Sequence, residues 1–226
     1  MQEITAENLV SELKNLKLDK ETGYIVFNYY NLPVTVTTTD TVGITLQAWL
    51  KEYLKHREYI FCEPDNTQEF PDFYLSKKPN KYKMLEVKAF NSCRTPAFDI
   101  ANFESYCESV KNIPERLNAD YLILGYEMKK NGAISIPKIW LHKIWEIAGT
   151  SKSYPLKVQV KRNVIYNIRP NSNFKNNKKS PFENKEDFLE ALYLTLRQYR
   201  GKDFANDWKK VLNNNYKKCF EKQLGF

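Results

Sequence analysis

Asp72, Glu86 and Lys88 are the residues of this chain whose types and spacing could do chemistry together. They fall in residues 71–90, P-D-F-Y-L-S-K-K-P-N-K-Y-K-M-L-E-V-K-A-F. Residues 73–75 and 84–90 read as two short strands, with the polar segment 76–83 as the turn between them. Residues two apart on a strand share a face. Glu86 and Lys88 therefore project to one side, and Leu85, Val87 and Ala89 to the other. Asp72 opens the partner strand, so a hairpin brings its carboxylate beside that of Glu86, with the Lys88 ammonium close by. Two carboxylates on adjacent strands form a hard-oxygen site suited to Mg²⁺. An ammonium beside such a site can orient a water and offset charge developing on phosphorus. The bland alternative is a surface hairpin carrying ordinary solvated charges.

Pro71, Asp72, Glu86 and Lys88 together resemble the motif of the PD-(D/E)xK nuclease superfamily, the family of most type II restriction endonucleases. The resemblance implies Mg²⁺-dependent hydrolysis of phosphodiesters in double-stranded DNA. It implies an α/β fold with a mixed central sheet flanked by helices, the restriction-endonuclease-like core. Asp72 and Glu86 would bind the metal, with the Val87 carbonyl as a further ligand, and Lys88 would position the attacking water. Small stand-alone members usually act as homodimers on palindromic sites. Residues 86–106 are similar to the NgoBV-type restriction enzymes, whose target is GGNNCC. In many superfamily members an early helix adds one more carboxylate beside the catalytic hairpin. Glu52 is the candidate here, against a solvated Glu52 paired with Lys55 or His56. A second Pro-Asp pair, Pro64-Asp65, also lies upstream of Glu86. Asp72 is preferred, because a strand follows it, whereas Asp65 leads into the polar segment 66–69; a strand fixes a carboxylate better than a loop does.

A chain of 226 residues with 14% aromatics can bury a real core, and it reads as a single nuclease domain over residues 1–226. Its net charge of +8 favours an anionic partner such as DNA. Richness in Lys and Asn is also what AT-rich genomes encode, so charge alone says little. No run approaches the roughly 20 apolar residues of a membrane span. The polar, acidic start M-Q-E-I-T-A-E is no signal peptide. Cys62, Cys93, Cys107 and Cys219 show no C-x-x-C pairing and read as reduced cytoplasmic thiols. With only two histidines, His56 and His142, a His-rich zinc site is excluded. Two rivals remain from the sequence: a structure-specific nuclease of the same superfamily, and a non-catalytic basic DNA-binding protein.

The elements that must position these residues follow from periodicity. Thr5 can cap a first helix burying Leu9, Leu13 and Leu16. Residues 23–30 and 34–38 read as a hairpin turning at 31–33. A helix over 44–57 buries Leu46, Trp49, Leu50, Tyr53 and Leu54. Another, over 100–113 and capped by Asp99, buries Phe103, Cys107 and Val110. Residues 120–126 form a strongly apolar central strand, expected to run parallel to 84–90 because a helix intervenes. A strand over 133–141 and a short helix over 143–148 follow.

The C-terminal half reads as the DNA-recognition part. Residues 155–170 form two strands around a basic turn, and 171–180, N-S-N-F-K-N-N-K-K-S, either order on DNA or form a floppy connector. Together, 155–180 form the candidate recognition region. Arg162, Asn163, Asn167 and Arg169 would read bases, with Lys161 beside them, and Lys175, Lys178 and Lys179 would meet phosphates. Arg94, beside the motif, is the reserve base reader. A basic ribbon can equally be a lysine-protected sheet edge. Two helices close the chain. Asn184 caps the first; the second, about 203–224, turns Phe204, Trp208, Val211 and Cys219 inward.

Overall fold

A computed structural model describes residues 2–66 and 69–226, so Thr67 and Gln68 of the polar segment after Asp65 lie outside the described residues. Along the chain run α1 (Ala6–Asn15), β1 (Val26–Tyr29), β2 (Leu32–Thr35), α2 (Val42–His56), β3 (Phe73–Tyr74), β4 (Met84–Asn91), β5 (Ala101–Asn102) and α3 (Phe103–Asn112). Then come β6 (Asp120–Met128), β7 (Ile134–His142), α4 (Ile144–Ile147), β8 (Val158–Lys161), β9 (Val164–Ile168), α5 (Lys185–Arg200) and α6 (Lys202–Phe220). Along the chain the residues group into two compact units. Met1–Pro96 with Asp120–His142 make the first, and Ala97–Ala119 with Lys143–Phe226 make the second.

The first unit is built on a four-stranded sheet in the order β3-β4-β6-β7. The sheet is mixed, as the fold class requires. β4 and β6 are parallel, pairing Leu85 with Asp120 through to Asn91 with Tyr126, while β3–β4 and β6–β7 are antiparallel. Leu85 and Val87 of β4, with Leu122 and Leu124 of β6, share one apolar cluster with Leu9 and Leu13 of α1 and Leu50 and Leu54 of α2. Two helices thus cover one sheet face and fix the strand that carries Glu86 and Lys88. Gly125 of β6 is required by close approach, since a Cβ there would meet the Trp140 ring at 2.7 Å. That ring stacks on Phe90 at the end of β4, with centroids 5.7 Å apart.

Thr5 caps α1, its hydroxyl accepting from the Asn8 N–H at 3.2 Å. Periodicity puts Leu16 on the buried face, but α1 ends at Asn15 and Leu16 is exposed. Glu12 ties α1 to α2, accepting from the Tyr53 hydroxyl at 2.5 Å, from Arg57 at 2.6 Å and from the Tyr59 hydroxyl. Burial alone would raise the pKa of Glu12, but these three hydrogen bonds outweigh it and hold the carboxyl below its usual range. The β1–β2 hairpin turns at Tyr30-Asn31, one residue earlier than the composition indicates. Both residues have positive φ, 50° and 58°, the geometry of a tight two-residue turn.

In the second unit a three-stranded sheet runs β5-β9-β8. The expected Asp99 cap of α3 is not used. Residues 100–102 stay extended to pair with β9, Ile100 donating its N–H to the Ile168 carbonyl at 3.0 Å, so the helix starts three residues late and Asn102 caps it. Asn184 caps α5 as read from the sequence. In α6 the buried stripe is Ala205, Trp208, Leu212 and Tyr216. Phe204 is therefore exposed and Val211 only partly buried. The indole N–H of Trp208 donates to the Cys107 carbonyl at 2.7 Å, pinning α6 to α3.

Residues 171–180 are a pinned turn, not a floppy connector. Asn171 is 7% exposed, and its amide donates to the carbonyls of Glu146 and Ala148 at 2.9 and 2.8 Å. Its side-chain oxygen accepts from the Asn173 N–H at 2.7 Å, and Phe174 is buried behind it. The four cysteines are free thiols. Among the described residues no helix is long and apolar enough to cross a membrane.

Candidate active site

Period-2 geometry brings Asp72 opposite Glu86. The β3–β4 ladder pairs Phe73 with Leu85 and Tyr74 with Met84, and the next step outward is Asp72 against Glu86. The backbone and side chains lock this step. The Asp72 N–H donates to Glu86 Oε2 at 3.2 Å, and the Val87 N–H donates to Asp72 Oδ2 at 2.7 Å. Lys88 Nζ lies 2.8 Å from Glu86 Oε1, with a fifth of its side chain exposed. Glu86 itself is 8% exposed, far from the usual surface glutamate. The structure thus brings Asp72, Glu86, Val87 and Lys88 to one place.

Helix α2 adds a residue that the sequence did not single out. Gln47 donates from Nε2 to Asp72 Oδ1 at 2.7 Å, so both oxygens of this carboxylate are held. Glu52, expected from the same helix, is not brought here. It sits five residues on, about 140° further around at 3.6 residues per turn. There it is two-thirds exposed and paired with Lys55 at 2.7 Å. Asp65 is exposed as well, on a bend. The amide was overlooked because a neutral side chain carries no charge signature, and the apolar stripe of α2 does not say which flank meets the hairpin.

Charge at this site is unbalanced. Two carboxylates share a largely buried space with one ammonium. Burial first, and the Glu86 charge second, push the Asp72 carboxyl up from its ordinary 3.8 to about 7. A divalent cation would relieve this excess. Among the described residues no group of three His, Cys, Asp or Glu side chains gathers into a metal cage. Mg²⁺ is commonly held by one or two carboxylates, with waters and substrate phosphates completing its shell. The donors present, two carboxylates beside a strand backbone, are hard oxygens of the required kind.

The recognition candidates lie in different settings. Lys161, Arg162 and Asn163 are exposed at the β8–β9 tip, where Arg162 and Asn163 both have positive φ, 51° and 63°. Lys161 lies 5.5 Å from the Tyr166 ring centroid. Asn167 is half-buried and donates across the sheet to Gln159 at 3.3 Å. Arg169 is not presented outward. It is ion-paired with Asp99 and donates to the Ala97 carbonyl at 2.7 Å, fastening the 97–99 segment to the sheet. Lys178 is exposed, and Lys175 is partly buried in the pinned turn. Lys179 pairs with Glu183 at 2.5 Å. Arg94 is exposed on the turn after β4 and lines a small recess with Asn91, Glu127 and Lys129.

Comparison with known proteins gives a consistent result. A family model described as NgoBV restriction endonuclease matches residues 3–226. The type II restriction enzyme NlaIV of Neisseria lactamica is 36% identical over 228 residues, covering 99% of this chain and 94% of that protein. The type II restriction enzyme NgoBV of Neisseria gonorrhoeae is 34% identical over 163 residues, covering 72% of this chain and 93% of that one. The solved structure of NlaIV restriction endonuclease superposes with a TM-score of 0.91 at 36% identity, over 100% of this chain and 93% of the other.

Proposed function

The chain belongs to the NgoBV restriction endonuclease family, the type II enzymes that cleave DNA at a specific site, and from that premise we propose that Asp72, Glu86 and Lys88 are its catalytic residues and Mg²⁺ its cofactor. The observation that carries this is the juxtaposition of the two carboxylates and the ammonium at the mouth of the β3–β4 pair. Asp72 and Glu86 would hold the metal, with the Val87 carbonyl as a further ligand. When bound, Mg²⁺ supplies Lewis-acid polarisation of the scissile phosphate. Lys88 orients the attacking water by hydrogen bonding and places positive charge beside the oxygens that gain negative charge as the phosphorus–oxygen bond breaks. Gln47 and the Val87 N–H fix the Asp72 carboxylate, the supporting role that outer partners of ligands play. The enzyme acts as a cytoplasmic homodimer on double-stranded DNA, and GGNNCC is the target to try first. The test is digestion of a plasmid carrying mapped GGNNCC sites, with Mg²⁺ or with EDTA, and sequencing of the fragment ends. Discrete cuts at one sequence, abolished by EDTA, are expected. Cutting that persists without divalent metal would overturn the metal assignment.

Base reading is assigned to the exposed β8–β9 tip in the second unit. Arg pairs with guanine edges, and the side-chain oxygen of Asn can accept from the cytosine N4 amine, whereas backbone contacts carry no sequence information directly. Arg162→Ala and Asn163→Ala should each cost about 1–3 kcal/mol of discrimination at one position of the site. Lys178→Ala should weaken binding to all sequences alike. Arg169→Ala should instead lower stability, because that guanidinium holds Asp99 and the Ala97 carbonyl. Binding titrations against the cognate duplex and its single-base variants measure the first three, and thermal unfolding measures the fourth. Full discrimination in both tip variants would remove the tip from recognition and move the search to Arg94.

A further inference from the structure

Between Asp72 and Glu86 the chain carries four lysines, Lys77, Lys78, Lys81 and Lys83, and no acidic residue. They belong to the turn that joins β3 to β4, so the element that places the two carboxylates also places these cations. The turn is built, not loose. Leu75 donates its N–H to the Lys83 carbonyl at 2.9 Å and closes the base of the loop. Within it the Lys83 N–H donates to the Asn80 carbonyl at 3.0 Å, the Tyr82 N–H to Asn80 Oδ1 at 2.9 Å, and the Ser76 hydroxyl to the Lys78 carbonyl at 2.8 Å. The ring of Pro79 fixes one more backbone angle. Lys77 and Lys78 stand exposed on this frame. In the same unit Lys51 pairs with Glu63 at 2.6 Å, Lys55 with Glu52 at 2.7 Å and Lys83 with Glu3 at 2.9 Å. Among the described residues no carboxylate lies within ion-pair distance of Lys77 or Lys78.

We propose that Lys77 and Lys78 grip the phosphate backbone of the duplex beside the cut, an inference that rests on Asp72 and Glu86 marking where the cut is made. Charge argues for it first. Two carboxylates outnumber the Lys88 ammonium at the site, so before a metal binds it repels an approaching phosphate chain. Cations at its flank must supply the attraction. Lys77 and Lys78 break no ion pair when they meet a phosphate, so the charge-assisted contact is gained at little cost. Order argues next. A turn already held by its own hydrogen bonds loses little conformational freedom on binding. Reach completes the case. The lysines follow Asp72 by five and six residues, a span of roughly 20 Å at most. At about 3.4 Å of duplex axis per nucleotide, the gripped phosphates lie within about six nucleotides of the scissile one. Duplex DNA is stiff over so short a length, so holding it there sets where the scissile phosphate rests. Contacts of this kind carry no sequence information directly, and the turn therefore differs in kind from the β8–β9 tip.

The test is a phosphate-by-phosphate scan of binding. Duplexes carrying the sequence mapped by digestion, each with one phosphate replaced by an uncharged methylphosphonate, are titrated in EDTA. Wild type is compared with the double variant Lys77→Gln, Lys78→Gln, whose circular dichroism should be unchanged because both side chains are exposed. Wild type should lose affinity when a phosphate within about six nucleotides of the cut is neutralised. The variant should bind those same duplexes and the unmodified one alike. Its log–log salt dependence should be shallower by ~1.8, which is ~0.9 for each of two contacts. Lys77→Arg, Lys78→Arg keeps both charges and should restore the wild-type slope and scan. The loss in the Gln variant should be the same factor for the cognate duplex and for its single-base variants. Identical scans and slopes for wild type and the Gln variant overturn the grip. A difference confined to phosphates beyond that window overturns its placement beside the cut. The scan involves no cleavage, so it is independent of the metal assignment, whereas an Asp72→Ala enzyme that still cuts would overturn the reading of the site and leave the grip standing.

Discussion

Asp72→Ala and Glu86→Ala should each reduce DNA cleavage by about a thousandfold or more. A bound metal contributes several kcal/mol of transition-state stabilisation, and every 1.36 kcal/mol is a factor of ten. Each change removes one of two carboxylates, and no third acidic side chain among the described residues stands ready to replace it. Single-turnover cleavage of a cognate duplex is the measurement. Normal cutting by Asp72→Ala together with a dead Asp65→Ala would show that the wrong Pro-Asp pair had been chosen. The pKa of Asp72 adds a pH dependence of definite sign. Because burial and Glu86 raise it to about 7 without metal, metal must displace a proton below neutrality, so apparent Mg²⁺ affinity should fall as pH drops from 8 to 6. Stability follows the opposite course. Between the ordinary value of 3.8 and about 7 the folded chain holds a proton that the unfolded chain has lost. The metal-free protein therefore loses stability as pH rises through that window. Asp72→Asn should melt higher than wild type in EDTA at pH 8, by the equivalent of roughly 1–3 kcal/mol, and this advantage should vanish near pH 4.

Lys88→Ala should lower the cleavage rate by a comparable factor while leaving cognate binding nearly intact. Its ammonium is 2.8 Å from Glu86 and inside the site, so its loss removes the group that orients water and meets developing charge. As a DNA contact it is one of many, and losing one phosphate contact should flatten the log–log salt dependence of binding by only ~0.9. Rate and affinity are thereby separable in one variant. A Lys88→Ala enzyme cutting at wild-type rate would exclude Lys88 from the chemistry. Equal losses in binding and cutting would make it a DNA anchor.

The strands that carry Asp72 and Glu86 were legible because a two-residue period and a polar turn leave few ways to pair residues 73–75 with 84–90. Parallel pairing of β4 with β6 was legible for a similar reason, as a helix between two strands permits little else. What failed was decided at long range. Asp99 has the chemistry of a helix cap, yet β9 draws residues 100–102 into its sheet, and the cap passes to Asn102. Periodicity located the apolar stripe of α2 but could not show which flank faces the hairpin. Glu52 seemed the functional residue because it is acidic, while the amide of Gln47 reaches Asp72. Residues 171–180 have the composition of a linker, but one buried Asn and one buried Phe hold them in place. Composition averages over a window and is blind to two such anchors.

The two compact units are interleaved along the chain, and the polypeptide crosses between them three times, after residues 96, 119 and 142. Neither unit is therefore a contiguous gene segment. No single deletion point yields the carboxylate-bearing unit alone, because its strands β6 and β7 are encoded after β5 and α3 of the other. A single crossover after residue 142 would carry the β8–β9 tip across with α5 and α6, but it would leave residues 97–119 of the same unit behind. Exchange of the whole second unit requires replacement of both its segments. The same order governs synthesis. β4, with Glu86 and Lys88, leaves the ribosome well before its parallel neighbour β6 exists. Fragments ending before residue 142 should lack a complete sheet, so prematurely terminated chains are expected to lack a finished cutting site inside the cell that makes them.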